Sequence, residues 1–174
     1  MNLLKKLEEI IYKLNYNSDY KILNEVAFVC RNVSADSQNA FKFVKSNIPK
    51  LLIDIYREST EKALKKEILE CFLNLLRDCN SNITGELLLL PTLEIFIANI
   101  DKTTDSPILR VSIAGLYLFL LYGKVTAYKN NIIAMEVEGN GLVPIIEDLF
   151  DHTDRVICDV AKLIIQDYFK SEEI

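Results

Sequence analysis

Asn32 and Asn74 lie 42 residues apart, and so do Pro49 and Pro91. No other feature of the chain narrows its possible folds as far. The asparagines sit in "VAFVCRNVS" and "ILECFLNLL", two apolar runs with helical spacing, and the prolines in "SNIPKLL" and "LLLLPTLEIF". Two residue types held at one interval indicate a structural unit used twice. A unit of that length cannot cover its own apolar face, so copies have to stack and share a core. Five glycines and four prolines in 174 residues are too few for a turn-rich β fold, so the units are expected to be helical.

The apolar positions place the helices. Leu3, Leu4, Leu7, Ile10, Ile11 and Leu14 recur at the helical period and predict one amphipathic helix over residues 3 to 16. "NYNSD" breaks it, with Asp19 as the next N-cap. Ile22, Leu23, Val26, Val29, Cys30 and Val33 then mark a helix ending near Ala35. Ser37 is placed to cap a short helix through Val44. Pro49 fits the first turn of the following one, where its missing N–H leaves no bond unmade, with Leu51, Leu52, Ile55 and Tyr56 inward. The cycle restarts with Leu64, Ile68, Cys71, Phe72, Leu75, Leu76 and Cys79 on one stripe. A short helix follows, and then one opened by Pro91 with Leu93, Phe96, Ile97 and Ile100 inward. Ser106 and Pro107 read as N-cap and first residue of a helix to about 122 that is apolar nearly all round and should be buried. The last pair is expected over Pro144 to Phe150 and roughly 154 to 170. No segment reads as a strand.

In one register the long helices align Asn32, Asn74, Leu118 and Lys162, 42 to 44 residues apart. Prolines recur at 49, 91 and 144, and an insertion at 123–139 accounts for the longer last gap. Long helix, short helix, proline-initiated helix at a period near 42 resembles the armadillo repeat. The resemblance implies an all-α, right-handed α-solenoid of about three to four armadillo/HEAT-like repeats. One such domain would fill residues 1–174, with 1–16 as an N-terminal capping helix and a C-terminal cap in "DVAKLIIQDYFKSEEI", each apolar inside and charged outside.

The asparagines admit two readings. In armadillo proteins that grip extended peptides, the asparagine of an "LxxLxNL"-like helix lines the concave face, and its amide pairs with the peptide main chain. That resemblance assigns Asn32 and Asn74 to a partner groove flanked by Phe28 and Glu70, with Arg31 and Lys162 as further polar contacts. Alternatively each amide satisfies backbone groups between neighbouring repeats, as buried polar groups must be satisfied. The ladder has only two rungs and the chain has no tryptophan, so a groove of stacked Trp–Asn pairs of the nuclear-import type is not expected.

Composition removes several function classes. A net charge of −5 argues against double-stranded nucleic acid, which requires concentrated Lys and Arg. Cys30, Cys71, Cys79 and Cys158 are dispersed with no C-x-x-C pair, consistent with reduced thiols in the cytosol or nucleus. "MNLLKKLEEI" is charged throughout, unlike a signal peptide, and the apolar run 111–123 is too short to span a bilayer, so no membrane partner is expected. His152 is the only histidine, which leaves no basis for a histidine-built metal site or a Ser-His-Asp triad. "EVEGNG" reads as a helix stop and turn, and no cofactor is expected. Ser106-Pro107 matches a proline-directed phosphorylation site as well as a helix start.

Cys30-Arg31-Asn32 with Gln38-Asn39 resembles the "CLRNxC…NQN" signature of the N-terminal region of ataxin-10 proteins. "FLNLL", "LPTLEIFIANI", "ILRVSIAGLYLFL" and "VICDVAKLIIQDYF" follow in a similar order, so the likeness spans most of the chain. The leucine- and charge-rich start has no counterpart, and the family's C-terminal armadillo signature is absent from these 174 residues. The resemblance implies a cytoplasmic adaptor, linked in that family to cytokinesis and neurite growth. The expected function is a non-enzymatic scaffold binding a partner protein or extended peptide. The alternative is a structural module that self-associates through a solenoid end.

Overall fold

The structure, a computed structural model, describes residues 3–14, 16, 19–77, 80–126 and 130–170. The described residues are helical or loop, with no strand. They gather into two compact units, Met1–Ile95 and Phe96–Ile174.

The first unit opens with α1 (Leu3–Ile11), shorter than the expected 3–16, followed by α2 (Tyr20–Ser34), α3 (Ser37–Val44), α4 (Ile48–Glu58), α5 (Lys62–Arg77) and α6 (Ser81–Leu88). α7 (Thr92–Ile97) crosses the division between the units. Helices that the 42-residue interval makes equivalent pack on one another: α2 lies along α5, and α3 on α6. α4 rests on α1 and α5, and Glu8 of α1 accepts the Asn47 backbone N–H at the head of α4 at 3.0 Å. Phe43, Leu52, Ile55, Ile68 and Phe72 form a dry core. Each such side chain contributes roughly 1.5–3 kcal/mol by leaving water. Pro49 stands in the first turn of α4 as its missing N–H favours. Pro91 lies one residue ahead of α7, and Ile95 rather than Ile97 is buried there.

The second unit holds α8 (Ser106–Thr126), α9 (Ile132–Gly139), α10 (Leu142–Glu147) and α11 (Arg155–Ile164), with a 3₁₀ turn over Asp148–Asp151 and a π turn over Ile165–Phe169. α8 packs on α9 and α11. It runs 21 residues, longer than the apolar run alone indicated, so length and composition would let it cross a membrane. Its most apolar window is nonetheless 56% buried within the protein, as in a core helix. The expected insertion at 123–139 is for the most part regular: α8 continues through Thr126, and α9 is the short helix of a third long–short–proline series. At Gly123 an added Cβ would stand 2.0 Å from Asn131 Oδ1, so the glycine here admits a side chain and does not end the helix.

One recurrence was not foreseen. Three short helices, α3, α6 and α9, start on a side-chain cap: Asp36 accepts from Gln38 N, Asn80 from Asn82 and Ile83 N, and Asn131 from Ile133 and Ala134 N. Ser37, expected as a cap, is already the first helical residue, because the carboxylate before it accepts the free N–H. α9 stops as expected at "EGNG": Gly141 has φ +68°, the left-handed conformation that closes a helix, and its N–H bonds Glu138 O at 2.9 Å. Cys30 and Cys71 are buried free thiols, and Cys158 is half-buried with its thiol on Phe150 O at 2.9 Å. Cys79 lies outside the described residues.

Candidate partner-binding face

Tyr20, Asn24, Phe28 and Arg31 follow one another at helical spacing along α2, and Arg31 reaches from this row to α5. Arg31 is the centre of this row. Its guanidinium lies 3.1 Å from Glu67 Oε2, donates to Glu67 Oε1 at 3.4 Å, and donates at short range to Glu70. The contact to Glu67 Oε2 is an ion pair without a directed hydrogen bond, which leaves that buried oxygen without a donor. Lys66 reaches Glu70 from the other side at 2.6 Å. Burial pushes the Glu70 carboxyl up, but the hydrogen bonds and charges of Lys66 and Arg31 outweigh it and hold the group below its ordinary value.

The aromatic element of the face is Phe28. Its ring is 41% exposed, and the Arg31 guanidinium stands 4.8 Å from its centroid, a cation–π distance. Toward the heads of α2 and α5 the row opens into a notch of about 300 Å³ lined by Tyr20, Asn24, Glu25 and Glu61 among others. Asn24 Oδ1 is buried beside it without a hydrogen-bond partner.

The two asparagines separate. Asn74 donates from Nδ2 to the Arg31 carbonyl at 3.0 Å and accepts from Arg77 at 3.2 Å. That carbonyl lies in the last turn of α2 and also accepts the Ala35 N–H at 3.2 Å, so the amide uses its second acceptor site. Ser34 Oγ also donates to it, at 2.8 Å. Asn74 therefore ties α5 to α2, and its amide is committed. Asn32, its partner in the repeat, is exposed on α2. Phe28, Arg31, Glu70 and Asn74 are thus brought together, whereas Asn32 stands off the cluster. Lys162 belongs to the second unit, where its ammonium sits 6.0 Å from the Phe150 ring centroid.

Glu67 and Lys66, equal members of the cluster, were missed. Both fall on the helix face that Glu70 marks, three and four residues before it, so the i, i+3 and i, i+4 spacing pointed to them. His152 is structural: its Nδ1 accepts the Asp154 N–H at 3.0 Å ahead of α11. Among the described residues no group of three or more His, Cys, Asp or Glu side chains is placed to hold a metal ion. No protein-family model matches the chain, and no curated protein matches it.

Proposed function

We propose that the chain is a non-enzymatic protein–protein interaction scaffold of armadillo-like repeats, an ataxin-10-like cytoplasmic adaptor, that takes a partner protein or extended peptide on the α2/α5 face. The observation that carries this reading is Phe28, an exposed ring under a guanidinium beside an open notch on the same helix row. Aromatic and Arg side chains are enriched where partners bind, and an apolar ring on a rigid helix offers contact area at little entropic cost. Stacking of α2 on α5 and α3 on α6 supports the repeat architecture behind it. Asn74 serves that architecture, and the partner's contacts fall to Phe28, Arg31, Glu70 and the notch.

The test is affinity enrichment from extract with immobilised wild-type chain and with Phe28→Ala, each shown folded by circular dichroism. A partner retained by wild type and lost by Phe28→Ala places binding on this face. Equal recovery by both removes the face from the proposal.

A further inference from the structure

The notch at the heads of α2 and α5 has a chemical bias of its own. Tyr20, Ala63 and Leu64 give it apolar wall area, while Glu25 and Glu61 bring two carboxylates against the single ammonium of Lys21. The other cations at the head of α5 are committed. Lys66 reaches Glu70 at 2.6 Å, Lys65 stands 4.8 Å from the Tyr56 ring centroid, and Lys62 has a partner of its own. Arg31, further along α2, serves Glu67 and Glu70. Among the described residues no cation pairs with Glu25 or Glu61. Asn24, which also lines the notch, keeps an amide oxygen without a donor.

A Lys or Arg side chain matches both parts of this lining. Its methylene stem packs on apolar walls while its charged tip stays with polar groups. The tip brings donors for the two carboxylates and for the amide oxygen, whose unmade hydrogen bond is a standing cost in the free protein. A notch of about 300 Å³ is at the small end of ligand sites, so it suits one side chain of a larger partner.

We propose that the notch takes a Lys or Arg side chain of an extended peptide, with Glu25 and Glu61 holding its charge and Asn24 accepting from it. This rests on the reading of the α2/α5 face as partner-binding and adds what the partner's sequence must contain. Tyr20 and Asn24 lie eight and four residues before Phe28. Along the helix that is about 6–12 Å, which an extended chain covers in roughly two to four residues. The partner motif is therefore a basic residue with an apolar one about three residues away, the apolar one meeting Phe28.

NMR titration of the full chain with acetyl-Leu-Ser-Ser-Lys-Ser-Ser-Leu-amide tests it, beside the same peptide carrying Arg or Gln in place of Lys. The Lys and Arg peptides should shift the backbone amides of residues 20–25 and 61–64 with dissociation constants on the order of 1 mM. The Gln peptide should bind about tenfold more weakly. Glu25→Gln combined with Glu61→Gln, both at exposed positions, should remove the preference for the basic peptides. Lys21→Gln should strengthen that preference about twofold. Phe28→Ala should weaken all three peptides and leave the preference intact. Equal binding of basic and neutral peptides overturns the proposal, as does no binding at all or a preference that survives the double Gln variant. If Phe28→Ala still weakens the neutral peptide in such a case, the partner face stands and the basic side chain alone is lost. If the preference holds while Phe28→Ala changes nothing, the notch stands and the Phe28 contact falls.

Discussion

α2 against α5 in the first unit and α8 against α11 in the second are the same kind of contact, one long helix on the next, but they are held differently. In the first, polar bridges run across the interface: Arg31 to Glu67 and Glu70, and Asn74 to the Arg31 carbonyl. In the second, Arg110 donates to Asp154 at the head of α11, Tyr117 meets Tyr168 edge-on at 6.3 Å, and most of α8 is apolar. Amphipathic helices carry charged groups at the margins of their buried stripes, and these can fix how far one helix slides along the other. A helix that is apolar nearly all round has few such groups, so its register must come from shape. The second unit supplies shape through glycines. At Gly115 the Phe96 ring occupies the space of a side chain, and Phe96 in turn stands edge-on to Phe119 with centroids 6.0 Å apart.

The strongest way to break this contrast is therefore a methyl group. A Cβ at Gly115 would come within 2.4 Å of Phe96 Cε1, and both Phe96 and Phe119 are fully buried, so the ring has nowhere to go. Gly115→Ala should cost about 1–3 kcal/mol in denaturant unfolding despite the gain in helix propensity. A cost below about 0.5 kcal/mol, the range of an indifferent surface change, would mean that the ring yields and that shape does not set the register here.

These glycine contacts also show where the sequence stops being legible. The 3.6-residue period places α2 and the starts of α5 and α8 to within a residue or two, because burial of a stripe is a local pattern repeated over several turns. The prolines mark the starts of α4 and α7 for an equally local reason. What a glycine admits depends on a ring or a loop distant in the chain: Phe96 for Gly115, Asn131 for Gly123. Gly123 accordingly reads as a break, although the helix passes through it. The candidate face divides along the same line. Phe28, Arg31, Glu70 and Asn74 share a neighbourhood because repeat spacing brings α2 and α5 side by side. Asn32 stands apart because, among the described residues, no long helix lies along its side of α2 as α2 lies along α5. Lys162 was placed by register alone, and α11 belongs to the other compact unit.

That difference in cover gives a sharper comparison between Asn74 and Asn32. Asn74→Ala removes a 3.0 Å bond to the Arg31 carbonyl in a part-buried interface and should cost about 1 kcal/mol. Asn32→Ala, on an exposed position, should stay within about 0.5 kcal/mol. Urea unfolding of both variants beside wild type reads the difference. Equal costs would show that Asn32 also holds structure and would remove the distinction between a covered and an open flank.

The smallest effect compares two carboxylates, one in each unit. Glu70 is raised by burial and lowered further by Lys66 and Arg31, for a net fall. Asp154 is lowered chiefly by the Arg110 hydrogen bond, against slight burial, with help from the N–H groups that open α11. Both are held below their ordinary values, so each stabilises the native chain above the ordinary carboxylate range, and the stabilisation is lost as pH falls through the lowered native value. For Glu70 the loss should amount to less than about 1 kcal/mol, since the pair is only part-buried. Carboxyl titration by NMR separates the two causes. Arg110→Met should move Asp154 up toward its ordinary value, because its principal donor is gone. Arg31→Met should move Glu70 up by less, because Lys66 at 2.6 Å remains. If Arg31→Met instead returned Glu70 all the way to its ordinary value or above, Lys66 would be a solvated neighbour. The first unit's polar bridge would then rest on a single guanidinium, as the second's rests on Arg110.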